Sequence, residues 1–147
     1  MRSFTGKPVL GGQAKGPALF TDQAVNFTAG FTKPQNLLPW KRSQFCDRHH
    51  PWCGEDLKGK VVFLPACIGS THTGLVVLDL VRLGIGPAAI VVEDADPLLV
   101  SGAVLSEVWY GRGMPIVSCH IAQFAAAIKT GTIAEVNGDT GEVILRD

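Results

Sequence analysis

The chain has 147 residues, 46% hydrophobic and 18% charged, and its 13 acidic and 13 basic side chains cancel. That length suits one domain, residues 1–147, with its own core. The balanced charge disfavours nucleic acid as a partner, because neutralising phosphates needs a basic face. No apolar run reaches the roughly 18 residues of a membrane span. The start, through Met1, Arg2, Ser3 and Phe4, lacks the apolar core of a signal peptide, so a cytoplasmic protein is expected.

Residues 8–27 read as antiparallel strands: Gln13 to Phe20 carries apolar positions about Gly16, with Gly11-Gly12 before it, and Ala24 to Phe27 is a second short run. From 28 to 58 neither a period of 2 nor one of 3.6 holds. Pro34, Pro39 and Pro51 interrupt this stretch, while Trp40 and Trp52 argue against simple disorder. A loop of such length inside a domain is expected to be a lid or a subunit interface.

The centre of the chain runs from Lys60 to Gly84. Val61 to Leu64 has the pattern of a buried strand, ended by Pro65, which has no N–H for a ladder. A turn at 69–73 rich in glycine and hydroxyls follows, then an apolar helix from His72 to Leu83. Pro87 to Val92 predicts a second buried strand. Asp96 and Pro97 predict the cap and first position of a helix ending near Gly111. Pro115 to Cys119 is a third strand, and His120 to Thr130 a third helix. Strands at 132–136 and 142–145 flank an Asn137-Gly138 turn, a strong hairpin signal. Strand–helix repeats in the middle imply a parallel sheet with right-handed crossovers. With antiparallel strands flanking them, the expected fold is a three-layer β/β/α domain.

The turn at Gly69 collects the chemistry. A helix N-terminus offers unsatisfied N–H groups and a positive dipole end, a seat for an anionic group. Ser70 has two readings there: a capping serine, or a general base held by the helix end. Gly69, Thr71, His72 and Thr73 could bind a phosphate or carboxylate, and His72 could also carry a phosphoryl group. Asp94 and Asp96 follow a strand at the carboxyl edge, where open α/β sheets bind ligands, although helix capping accounts for Asp96. Cys46, His49, His50 and Cys53 invite a zinc reading, but adjacent histidines splay apart and the spacing fits no standard finger, so no metal site is assigned. Lys41, Arg42 and Arg48 read equally as contacts for an acidic group and as a solvated surface. Cys67 and Cys119 read as small buried residues.

Several segments in order resemble the small subunit, or swivelling domain, of the aconitase X group of hydro-lyases. They are Gly11-Gly12-Gln13-Ala14-Lys15-Gly16, Asn26-Phe27, His50-Pro51, 57–62, Gly69-Ser70-Thr71, 87–91, Asp96-Pro97, Gly102-Ala103, Tyr110-Gly111 and 114–117. The resemblance implies a swivelling β/β/α domain closing over an iron or iron–sulfur site in a large catalytic subunit. It implies dehydration of cis-3-hydroxy-L-proline or of mevalonate 5-phosphate, with this chain inactive alone. In aconitases a Gly-Ser-Ser-Arg turn supplies the serine base, and Ser70 falls on that serine. Thr71 stands where the second serine would be and His72 where the arginine would be. Archaeal relatives carry a serine run here. Gly69 to His72 before an apolar helix also resembles the mobile phosphohistidine domain of phosphoenolpyruvate-using enzymes, with His72 as carrier. A non-catalytic module using the turn as an anion cradle is the third reading.

Overall fold

The computed structural model describes residues 1–31, 44–69 and 71–147. Among the described residues are eight strands: β1 (Arg2–Thr5), β2 (Lys7–Leu10), β3 (Gln13–Phe20), β4 (Val61–Leu64), β5 (Ala89–Val92), β6 (Ile116–Ser118), β7 (Ile133–Asn137) and β8 (Glu142–Arg146). Three helices accompany them: α1 (Phe27–Phe31), α2 (Thr73–Arg82) and α3 (Pro97–Tyr110). The strand order is β1-β8-β7-β3-β4-β5-β6-β2.

Two long runs turn this order into two layers sharing both edges. β1 pairs antiparallel with β8, and after Gly6 the same run pairs as β2 with β6. Residues Gln13 to Pro17 of β3 pair with β7, whereas Ala18 to Phe20 pair parallel with β4. Gly6 marks one crossing. Its N–H donates to the Gly141 carbonyl, and a Cβ there would lie 2.5 Å from the Ser118 carbonyl oxygen. β4, β5 and β6 complete the parallel layer.

Alternation sorts the side chains of that layer. Val61, Phe63, Ala89, Val91 and Val117 face β7 and β8, meeting Ala134, Val136, Val143 and Leu145. Val62, Leu64, Ile90, Val92 and Ile116 face the helices, meeting Val77, Leu80, Val81, Leu99 and Ala103. Both faces are buried, which is why these strands read as unbroken apolar runs. The arrangement is the expected three-layer β/β/α fold. α2 and α3 cross closely, since a Cβ on Gly102 would collide with the Gly74 carbonyl. Both are bounded as the sequence implied: Asp96 accepts the Leu98 N–H at 2.8 Å, and Gly111 closes α3 at φ 69°.

Four elements differ from the sequence reading. β1 was not expected, because Arg2–Thr5 carries one large apolar residue, Phe4; pairing with β8 supplies the order. Ala24 to Phe27 is not a strand: Val25 makes an isolated parallel bridge to Cys67, and α1 begins at Phe27. The expected helix from His120 to Thr130 is a 3₁₀ turn, Ile121–Phe124, followed by turns. Its buried residues Ile121, Phe124 and Ala127 recur every three positions, the 3₁₀ period, and fill the space between the β layers. Within the supposed loop at 28–58, Phe45, Trp52 and Leu57 are core residues. Trp52 donates its indole N–H to the Phe20 carbonyl at 3.2 Å.

Candidate functional site

The carboxyl end of β4 sits between two neighbours that prolong the sheet beyond the named strands. On one side the Val25 N–H donates to the Ala66 carbonyl (3.0 Å), and the Ile68 N–H to the Val25 carbonyl (2.9 Å). On the other the Asp94 N–H donates to the Pro65 carbonyl at 3.0 Å. The chain is thus held on one flank up to Pro65 and on the other up to Ile68, and then turns sharply.

Gly69 makes that turn at φ +105°, and a Cβ there would lie 2.6–2.7 Å from the carboxamide of Asn26. Two constraints therefore demand glycine: a backbone region L side chains avoid, and a neighbour already in contact. The same carboxamide accepts the Ala29 N–H at 3.0 Å, starting α1. Asn26 was named in the sequence only as part of a matching segment, and its support of the turn was not foreseen. A polar residue between two short apolar runs was the available signal.

Ser70 lies outside the described residues, as do Lys41 and Arg42. Thr71 and His72 are exposed. His72 occupies the N-cap position of α2 without capping it by its side chain, and its carbonyl accepts the Val76 N–H. Thr73 is buried, 3% exposed, so it supports the turn from the packed side. The first turn of the ten-residue α2 carries no acidic residue to compete with a bound anion.

Cys67, expected to be buried, is half-buried just before the turn. Burial first, then the negative Asp96 and Asp94, push its thiol up to about 12. It is a protonated thiol at neutral pH, not a nucleophile. Burial likewise raises the Cys119 thiol, which accepts the Gln123 amide at 2.9 Å. Among the described residues no three His, Cys, Asp or Glu side chains converge as metal ligands. The Cys46–Cys53 segment uses its polar groups in turns: His50 Nδ1 accepts the Trp52 N–H (3.0 Å), Asp47 accepts the His49 N–H, and the Cys46 thiol donates to the Gln44 carbonyl. The iron or iron–sulfur site implied by the resemblance thus finds no fitting donor set among the described residues of this chain.

Further along the same edge, Glu93 follows β5 and His120 follows β6. His120 Nδ1 lies 2.6 Å from Glu93 Oε1, which also accepts the Ile121 N–H at 3.2 Å. Sequence reading placed His120 at a helix start and passed over Glu93. Both stand directly after predicted strands at the ligand-binding edge, and that position was the signal.

Residues 3–145 match the family model described as the aconitase X swivel domain. The chain is 31% identical to the cis-3-hydroxy-L-proline dehydratase of Hypocrea jecorina, over 93% of this chain but 22% of that protein. It is 30% identical to the phosphomevalonate dehydratase small subunit of Thermococcus sibiricus, over 94% of each. The crystal structure of Thermococcus kodakaraensis aconitase X superposes with a TM-score of 0.82 at 24% identity, covering all of both chains. The chain thus spans about a fifth of the first relative and nearly all of the second.

Proposed function

The chain belongs to the aconitase X swivel-domain family, and from that premise we propose that it is the small subunit of a hydro-lyase that dehydrates a small hydroxy acid. The substrate we favour is cis-3-hydroxy-L-proline. The 31% identity to a dehydratase of that name supports the choice. Mevalonate 5-phosphate is the second reading, supported by 30% identity to a phosphomevalonate dehydratase small subunit.

The observation carrying this proposal is the Gly69 turn, held by Asn26 at the mouth of α2 and at the carboxyl edge of the parallel layer. In the proposed mechanism Ser70 is the general base that removes the proton from carbon. Gly69, Thr71 and His72 hold the anionic group of the substrate against the helix end, and Thr73 supports them from below. Losing hydroxide from the neighbouring carbon calls for a Lewis acid, the chemistry that iron or an iron–sulfur cluster supplies. Among the described residues no three metal-ligating side chains converge, and that group is assigned to a large catalytic subunit.

Reconstitution tests the proposal. The chain alone should show no dehydratase activity, and adding an iron-loaded large subunit of the family should give turnover of one of the two substrates. A complex containing Ser70→Ala should lose it. Full turnover by that variant removes the base assignment, and acid-labile phosphate on His72 after incubation with a phosphoryl donor favours the carrier reading instead.

A further inference from the structure

The Glu93–His120 pair has the geometry of an oriented imidazole. The 2.6 Å contact engages Nδ1, and the Ile121 N–H fixes the same carboxylate oxygen at 3.2 Å. The Ser118 hydroxyl donates to the Glu93 backbone carbonyl at 3.0 Å, tying the two segments together. Nδ1 is therefore a donor to Glu93, while the side chain, 73% exposed, presents Nε2 to whatever meets this edge. A carboxylate that fixes one ring nitrogen and frees the other is the arrangement of a proton-transferring histidine with its orienting group.

Strand register places the pair relative to the turn. Val92 is level with Leu64 on one side and Ser118 on the other. Ser118 therefore stands two strand spacings, about 10 Å, from Leu64, and His120 and the segment leading into Gly69 continue the chain from those two strand ends. The charged group in contact with it is Glu93, and Lys7 of β2 lies opposite Ser118 of β6, two residues before it.

We propose that His120, oriented by Glu93, is a second proton-handling residue of the dehydration: as an imidazolium whose Nδ1–H is held by Glu93, it donates its Nε2 proton to the departing hydroxyl and is left as the neutral ring. The base takes the proton from carbon, the carbon–carbon double bond forms as the carbon–oxygen bond breaks, and the Nε2 proton joins the leaving hydroxide as water. Solvent then reprotonates the imidazole. This role rests on the hydro-lyase reading above.

The test uses the reconstituted complex. His120→Ala should lower kcat by about 10²–10⁴-fold, the usual worth of a positioned acid, with a smaller change in KM. Added imidazole should restore part of the rate to that variant and none to Ser70→Ala. Glu93→Gln should lower kcat less, and nitrogen NMR of the chain should show Nδ1 protonated in the wild type and released in Glu93→Gln. An active complex in which His120→Ala keeps full kcat overturns this role alone. A wild-type complex with no dehydratase activity overturns the hydro-lyase reading and the role with it.

Discussion

Replacing Gly69 by alanine tests whether the turn is built as described. The substitution meets two separate costs. A residue with a Cβ at φ +105° is strained, by about 1–3 kcal/mol. The added methyl also meets the Asn26 carboxamide at 2.6–2.7 Å, and overpacking of this kind costs about 1–3 kcal/mol. Gly59 separates the two, because its φ is +73° and a Cβ there meets nothing within 4 Å. Gly59→Ala should cost only the left-handed term, about 1–2 kcal/mol. Asn26→Ala removes the opposing amide at the expense of the α1 cap, about 0.5–2 kcal/mol. In that background Gly69→Ala should cost about what Gly59→Ala costs, giving a coupling of about 1–3 kcal/mol in the double-mutant cycle. Urea unfolding with an unchanged m-value is the measurement. If Gly69→Ala costs no more than Gly59→Ala, or the cycle shows no coupling, the contact does not support the turn.

Phe124→Ala should destabilise by about 3–5 kcal/mol, since this fully buried ring packs against Phe4 and Phe63 at 4.6 and 4.8 Å between the β layers; a loss under 1 kcal/mol in urea would contradict its place there. His50 has its pKa lowered by burial, so the unfolded chain takes up a proton near pH 6.5 that the folded chain resists until lower pH. Its contribution to stability is present above about pH 6.5 and is lost as pH falls; His50→Gln should flatten the slope of stability against pH between 7 and 5. Iodoacetamide at pH 8 should label the exposed Cys53 well before Cys67, whose thiol is pushed up to about 12. Asp96→Asn, which keeps a capping side chain while removing a charge, should speed labelling of Cys67, and an unchanged rate would show that the Asp96 charge does not set its reactivity.

Elements whose signals are local were legible in the sequence. Asp96, Pro97 and Gly111 bound α3, and Asn137 with Gly141 turns β7 into β8, because caps and tight turns are decided within a few residues. The strands β4, β5 and β6 showed as apolar runs because both of their faces are buried. What escaped depends on partners distant in sequence. β1 exists because β8, some 140 residues later, pairs with it. The segment after His120 was given the wrong helical period, since Phe124 answers to Phe4 and Phe63 rather than to its own helix. At the site, the Gly69 turn was visible, but its backstop Asn26 lies more than forty residues away and Glu93 meets His120 across two strands.

The electrostatics of the thiols bear on how the chemistry is divided. A cluster binds thiolates, and a protein that holds one lowers the proton affinity of its cysteines with nearby donors or positive charge. Here the edge does the reverse. Asp94 and Asp96 flank Cys67 and raise its thiol to about 12, burial raises Cys119, and Cys53 stands apart and exposed. The anion-binding character of the turn comes from the N–H groups of α2, whose first turn carries no acidic side chain. An edge that keeps its sulfur protonated while presenting backbone donors and an oriented imidazole suits proton transfer and substrate holding.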